Sequence, residues 1–179
     1  MRINLFAGPC AGKSMVAGCV FSALKRDGYN IELVREYIKN WAYVGRVPKS
    51  FDQVYVFGKQ LHAEDLVLQS GVNHIITDSP LMMQIPYAKL HNVSAWADLL
   101  SIANKFESEN PSINIFLRRE ESKYDGSGRY ENLDEAIKMD ENIRDFMNEH
   151  IGDYATMPSS ELEQIISYIK SKIDEPSLL

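Results

Sequence analysis

The sequence predicts an α/β protein with a parallel sheet covered by helices on both faces, and three observations carry that reading. Short apolar runs alternate with longer helical stretches, the pattern of successive βαβ units. The first apolar run opens into a glycine-containing loop and then an amphipathic helix. No repeat, low-complexity tract or linker divides the 179 residues, so 1–175 read as one domain and 176–179 as a frayed tail.

The elements follow in order. Ile3 to Phe6 is a strand, and Lys13 to Asp27 a helix ended by Gly28. Ile31 to Arg35 is a second strand, and Ser50 to Ser70 a long helix closed by Gly71. Asn73 to Thr77 is a third strand, followed by a helix from Ser94, its cap, to Glu109. Ser112 to Leu117 is a fourth strand, and Leu133 to His150 a helix. Ala155 to Met157 is a short fifth strand before the last helix, Ser159 to Ile173. Residues 42–49 and 118–132 are irregular and follow strands at the sheet edge where open α/β folds place their ligands.

Composition sets outer bounds. Hydrophobic residues make up 45% and charged residues 25%, ordinary for a globular domain. A net charge of -6 argues mildly against a large nucleic-acid footprint, although a local basic groove is compatible with it. Cys10 and Cys19 read as two reduced thiols, and no segment has the length of a signal peptide core or a membrane span. A soluble, cytoplasmic protein is the expectation. The histidines show no metal-ligand spacing, and Met82, Met83 and Met139 read as core.

Residues 7–14, Ala-Gly-Pro-Cys-Ala-Gly-Lys-Ser, fit the P-loop spacing with Ala7 in place of the usual first glycine. Gly8 and Gly12 let the loop through Pro9, Cys10 and Ala11, and the first helical turn at Met15, aim backbone N–H groups at phosphate oxygens. The positive end of the helix points the same way. In this reading Lys13 reaches the terminal phosphates and Ser14 ligates Mg²⁺. The donor is ATP with Mg²⁺, since no guanine-reading N/T-K-x-D motif occurs.

A kinase needs an acceptor beside this donor site. Glu36, with Arg35 before it, stands just past the second strand and is the candidate base or acceptor ligand, against the plainer reading of an edge charge. Asp78 ends the third strand in ITDSP and is read as metal support, or else as a turn former. Arg118, Arg119 and Arg129 flank a polar, glycine-containing segment read as a lid over the transferring phosphates. Gln53, Phe57 and Gln60 share one helical face, able to read and stack a base or simply to pack. Trp41 and Tyr43 either sandwich a planar acceptor or pack.

The motifs AGPCAGKS, VREY, ITDSP and Arg-Arg…Gly-Arg-Tyr, in this order, resemble small P-loop kinases of the nucleoside and nucleotide kinase group, nearest to phage-type kinases related to nicotinamide riboside kinase domains. The likeness spans roughly residues 1–173 and implies a three-layer P-loop NTPase fold with five parallel strands in the order 2-3-1-4-5. It also implies phosphate and Mg²⁺ binding by Lys13 and Ser14, Glu36 as base or acceptor ligand, metal support by Asp78, and a lid served by Arg118, Arg119 and Arg129. One departure stands out. Deoxynucleoside kinases carry an arginine where this chain has Ser79.

Three functions compete. The first is an ATP-dependent kinase acting on a hydroxyl of a nucleoside- or nucleotide-like acceptor. The second keeps the chemistry but acts on 5-hydroxymethyluracil within phage DNA, with Lys39, Arg46 and Lys49 holding flanking phosphates. The third is an ATPase or nucleotide switch with no small-molecule acceptor.

Overall fold

A computed structural model describes residues 1–120 and 132–175. Five strands form one all-parallel sheet in the order β2-β3-β1-β4-β5: β1 Arg2–Phe6, β2 Ile31–Val34, β3 His74–Asp78, β4 Ser112–Arg118 and β5 Ala155–Pro158. The helices are α1 Lys13–Arg26, α2 Lys39–Tyr43, α3 Asp52–Gln69, α4 Gln84–Leu90, α5 Trp96–Glu109, α6 Leu133–His150 and α7 Leu162–Asp174. No described helix is long and apolar enough to cross a membrane.

All five residues of β1 are buried, so its side chains alternate between two covered faces. Ile3 and Leu5 meet Val16, Val20 and Leu24 of α1 and Ile165 and Ile169 of α7. Phe6, paired in register with Phe116, faces the other core, made by α3, α5 and α6 through Phe57, Phe106 and Ile143. Burying each such side chain contributes about 1.5–3 kcal/mol. The α1 stripe thereby pins that helix's first turn against the carboxyl end of β1.

On the second face, polar side chains run across the sheet. Thr77 Oγ1 donates to Asn4 Oδ1 at 3.0 Å, and Asn4 Nδ2 donates to Asn114 Oδ1 at 3.0 Å, each pair in register. Beside them Arg2, fully buried, pairs with Glu107 and lies 3.6 Å from Glu64. Glu64 Oε1 accepts from Gln60 Nε2 at 3.1 Å and from the Leu81 amide at 2.8 Å. Gln60 Oε1 in turn accepts from the Tyr37 amide at 3.3 Å. One carboxylate therefore braces the backbone after both β2 and β3.

Several boundaries differ from the sequence reading. The long helix starts at Asp52, whose carboxylate accepts from the Lys49 amide, and Ser50 has φ 49°. Ser94 does not cap α5, which starts at Trp96 after Ala95 and has no side-chain cap. A 3₁₀ turn (Leu81–Met83) and α4 were not anticipated: LMMQIPYA is buried on nearly every side, so it has no amphipathic period. Pro86 is the third residue of α4, within the first turn, where it breaks no helical hydrogen bond. Met82, Met83 and Met139 are core residues. Cys10 and Cys19 form no disulfide.

The buried Glu64 and the partly buried Glu107 share one guanidinium, so the cluster holds a proton more readily than isolated groups do. Burial pushes Glu64 up to about 7 against the opposing pull of Arg2, and burial also raises Glu107. A raised folded-state value stabilises the fold below about pH 4.5, and that contribution is lost as pH rises through about 7. Urea unfolding at pH 5 and pH 8 should show stability falling by on the order of 2–3 kcal/mol. In Glu64→Gln, which keeps the Oε1 acceptor, the fall should be at most half as large. Equal falls in the two proteins would refute the assignment.

Candidate active site

The parallel register brings the loops after β1, β2 and β3 to one edge. After β1 the chain turns through Cys10 (φ 59°) and Gly12 (φ 88°) into α1, which has no side-chain cap and no acidic residue in its first turn. By contrast, α6 has a capping box between Asn132 and Glu135 and carries Asp134 in its first turn. The start of α1, like any helix N-terminus, can attract an anion. Lys13 is buried, and its ammonium donates to the carbonyls of Ala7 and Gly8, each at 2.8 Å, arching back over the loop it belongs to.

The loop is also held from beneath. The Gly8 amide donates to Asp140 Oδ1 at 2.6 Å, and Arg119 Nη2 donates to the Pro9 carbonyl at 2.9 Å. Arg119 and Asp140 form an ion pair with side chains only 6% and 13% exposed. Arg119, expected as a lid contact to ATP, holds the loop backbone from the protein side. Asp140 escaped sequence analysis because an acid on a helix face carries no signal of what it will meet.

Three cavities surround this loop. The first, about 120 Å³, is lined by Lys13, Glu36, Lys39, Gln53, Gln84 and Tyr87. The second, about 490 Å³, is lined by Ser14, Arg35, Glu36, Lys39, Tyr43 and Asp78. The third, about 190 Å³, lies outside the loop against Cys10, Gly12, Met15, Glu120, Ser159 and Ser160. Glu36 and Lys39 stand between the first two.

Asp78 is 4% exposed, and its Oδ1 has no hydrogen-bond partner among the described residues. Asp78 and Ser14 line the same cavity, and a carboxylate beside a hydroxyl is a donor set that fits a Mg²⁺ ion, which keeps most of its waters and needs few protein groups. Ser79 is 1% exposed with φ 76°, tucked into the turn after β3. At that position no long side chain reaches into the site.

The predicted acceptor residues divide. Gln53 lines the first cavity, and Arg35 and Tyr43 the second. Gln53 Nε2 donates to Gln84 Oε1 at 2.9 Å, which leaves the Gln53 carbonyl and the Gln84 amide for the cavity. Gln84 was missed, although a lone polar residue inside an apolar run signals a buried partner. Trp41, Phe57 and Gln60 line none of the three cavities. Trp41 is buried, stacks on Tyr55 at 6.1 Å and carries the Arg46 guanidinium 3.5 Å from its ring centre. Phe57 belongs to the core, and both ends of the Gln60 amide are engaged by Tyr37 and Glu64. Arg118 ends β4 with an exposed side chain. Arg129, most of the expected lid and the tail lie outside the described residues.

Residues 2–164 match the profile of the AAA domain family AAA_28. The chain belongs to that family. No curated protein sequence matches it. Among solved structures, the deoxyadenosine kinase of M. mycoides with bound dATP superposes at TM-score 0.60 and 18% identity, covering 98% of this chain and 100% of the other. The same enzyme with dCMP and a flexible dCDP superposes at TM-score 0.55 and 18% identity, with the same coverage. YorR of Bacillus subtilis, in complex with phosphorylated GDP, superposes at TM-score 0.61 and 16% identity, covering 97% and 96%. At these identities the likeness establishes the P-loop fold with its 2-3-1-4-5 sheet.

Gly8 has no room for a side chain: a Cβ there would lie 2.6 Å from Asp140 Oδ1 and 2.8 Å from the Ala136 carbonyl. Gly8→Ala should lower Tm by about 3–10 °C and weaken ATP binding by roughly tenfold or more. Gly18, helical and with nothing within 4 Å of where an added methyl would stand, is the control. Gly18→Ala should raise Tm by about 1–4 °C. Calorimetry and ATP titration check both, and a Gly8→Ala protein that binds ATP normally would contradict the close approach.

Proposed function

We propose that the chain is an ATP-dependent kinase that transfers the γ-phosphoryl group to a hydroxyl of a nucleoside-like acceptor. The observation that carries this reading is the first cavity, which Lys13 of the phosphate loop and Glu36 line together with a glutamine pair. The pair offers one acceptor and one donor side by side, which suits the edge of a nucleobase. An acceptor filling a cavity beside the phosphates also favours transfer over hydrolysis, since the occupant displaces water.

In this mechanism Lys13 holds the terminal phosphates and the start of α1 the remaining oxygens. Bound Mg²⁺, held by Ser14 and Asp78, would supply positive charge to the phosphates. Glu36 takes the proton of the acceptor hydroxyl as that oxygen bonds to the γ-phosphorus; the bond from phosphorus to the bridging oxygen breaks, and ADP leaves with its electron pair. The third cavity, beside Gly12 and Ser159, is suited to the donor base. That dATP and dCMP are held by the deoxyadenosine kinase, and a guanine nucleotide by YorR, supports the same substrate class.

One observation favours a modified base in DNA as the acceptor. Tyr43, Val44, Val47 and Phe51 are 51–77% exposed on the segment that also carries Arg46 and Lys49, and Tyr43 and Val47 line the second and first cavities. Exposed aromatics among cations suit a nucleic-acid strand. A nucleotide switch draws no comparable support, because it has no use for the glutamine pair.

Radiolabelled ATP offered with nucleosides, nucleotides and hydroxymethyluracil-containing DNA tests the proposal. Label should move to one acceptor class, and Lys13→Ala should reduce transfer on the order of 10²–10³-fold with the fold retained. DNA binding that weakens steeply with salt would select the second reading. Hydrolysis indifferent to every acceptor would refute the kinase.

A further inference from the structure

Position 79 places no cation at the reacting phosphate, and the structure supplies one from elsewhere. Lys39 opens α2, three positions after Glu36, and its ammonium donates to the Ser14 hydroxyl at 2.8 Å. It lines both the cavity with Lys13 and Glu36 and the cavity with Ser14 and Asp78. No other described lysine is common to these two cavities. An ammonium on the hydroxyl assigned to Mg²⁺ is a cation standing where cation and phosphate will later be.

We infer that Lys39 is a second catalytic cation: it rests on Ser14 before nucleotide binds and then moves onto the transferred phosphoryl group. This rests on the kinase reading. The chemistry needs such a group. As the acceptor oxygen bonds to the γ-phosphorus and the bond to the bridging oxygen breaks, charge spreads over the γ-oxygens and the departing β-phosphate. Lys13 approaches from the loop side. Lys39 approaches from the Glu36 side, so the migrating group is flanked by cations along its path. No proton leaves Lys39 in this step; the acceptor proton goes to Glu36. A lysine suits the task because its flexible stem and compact charge let it change partner.

The move explains why the Ser14 hydroxyl is engaged by an ammonium before substrate arrives. A lysine held there adds a second cation to a cavity lined by Arg35, Glu36 and Asp78. It also implies competition: a divalent ion reaches Ser14 only as Lys39 leaves.

The test uses Lys39→Met and Lys39→Arg in the full chain. In Lys39→Met, kcat should fall on the order of 10²–10³-fold while KM for ATP changes less than about threefold. Lys39→Arg should recover part of the loss. Two readouts do not depend on turnover. ADP with aluminium fluoride, a mimic of the moving phosphoryl group, should bind the methionine variant at least tenfold more weakly, with ADP alone unchanged. Mn²⁺ titrated into the nucleotide-free protein should bind the variant more tightly than wild type.

Unchanged kcat together with unchanged aluminium fluoride binding would overturn the inference. If wild type transfers phosphate to no acceptor, the kinase reading falls, and the aluminium fluoride and Mn²⁺ titrations still decide whether Lys39 attends the phosphoryl position. A matching circular dichroism spectrum and Tm for Lys39→Met excludes misfolding as the cause.

Discussion

The tight turn from β1 into α1 is the constraint around which this protein is arranged. The N-cap of α1 is Gly12, which brings no side-chain cap, and the two left-handed residues Cys10 and Gly12 open the loop. Surrounding structure fixes the loop from several sides. The apolar stripe of α1 is buried against β1, β3 and α7. Asp140 and Arg119 take up the Gly8 amide and the Pro9 carbonyl, so the loop keeps its shape before phosphate arrives. Lys13 folds onto the Ala7 and Gly8 carbonyls, close to the oxygens it is proposed to meet.

The second requirement is that groups on three loops face one another. Parallel register delivers the loops to one edge, but register alone does not orient Glu36 or Asp78. Glu64 does part of that work from inside the core. Its carboxylate binds the Leu81 amide after β3 and reaches the Tyr37 amide after β2 through Gln60. Burying a charge for this purpose is expensive, and the presence of Arg2 between Glu64 and Glu107 shows how the cost is limited.

Much of this was legible in the sequence, for reasons that are local. Strand-helix alternation and the spacing of Gly12, Lys13 and Ser14 follow from backbone chemistry within a few residues. Asp78 stands out in the sequence because an acid closing an apolar strand is a short-range pattern. What escaped depends on tertiary neighbours. Asp140 meets Gly8 across 132 positions, and Gln84 meets Gln53 across 31. Gln60 and Phe57 share a helical face with Gln53, yet the packing of Glu64 and the core claims them. The exposure of Tyr43 and the burial of Trp41, two positions apart, depend on a five-residue helix that periodicity is too short to reveal. Ser79 marked a departure in sequence, and its burial in a strained turn gives that departure a physical basis.

The central claim is that phosphate held by the α1 loop passes to a hydroxyl aligned by Glu36. Single-turnover transfer from γ-labelled ATP in Glu36→Gln tests this most directly, with ATP affinity measured on the same protein. The account predicts ATP affinity within about threefold of wild type and transfer slowed on the order of 10²–10⁴-fold. Transfer at the wild-type rate with ATP bound normally would contradict it.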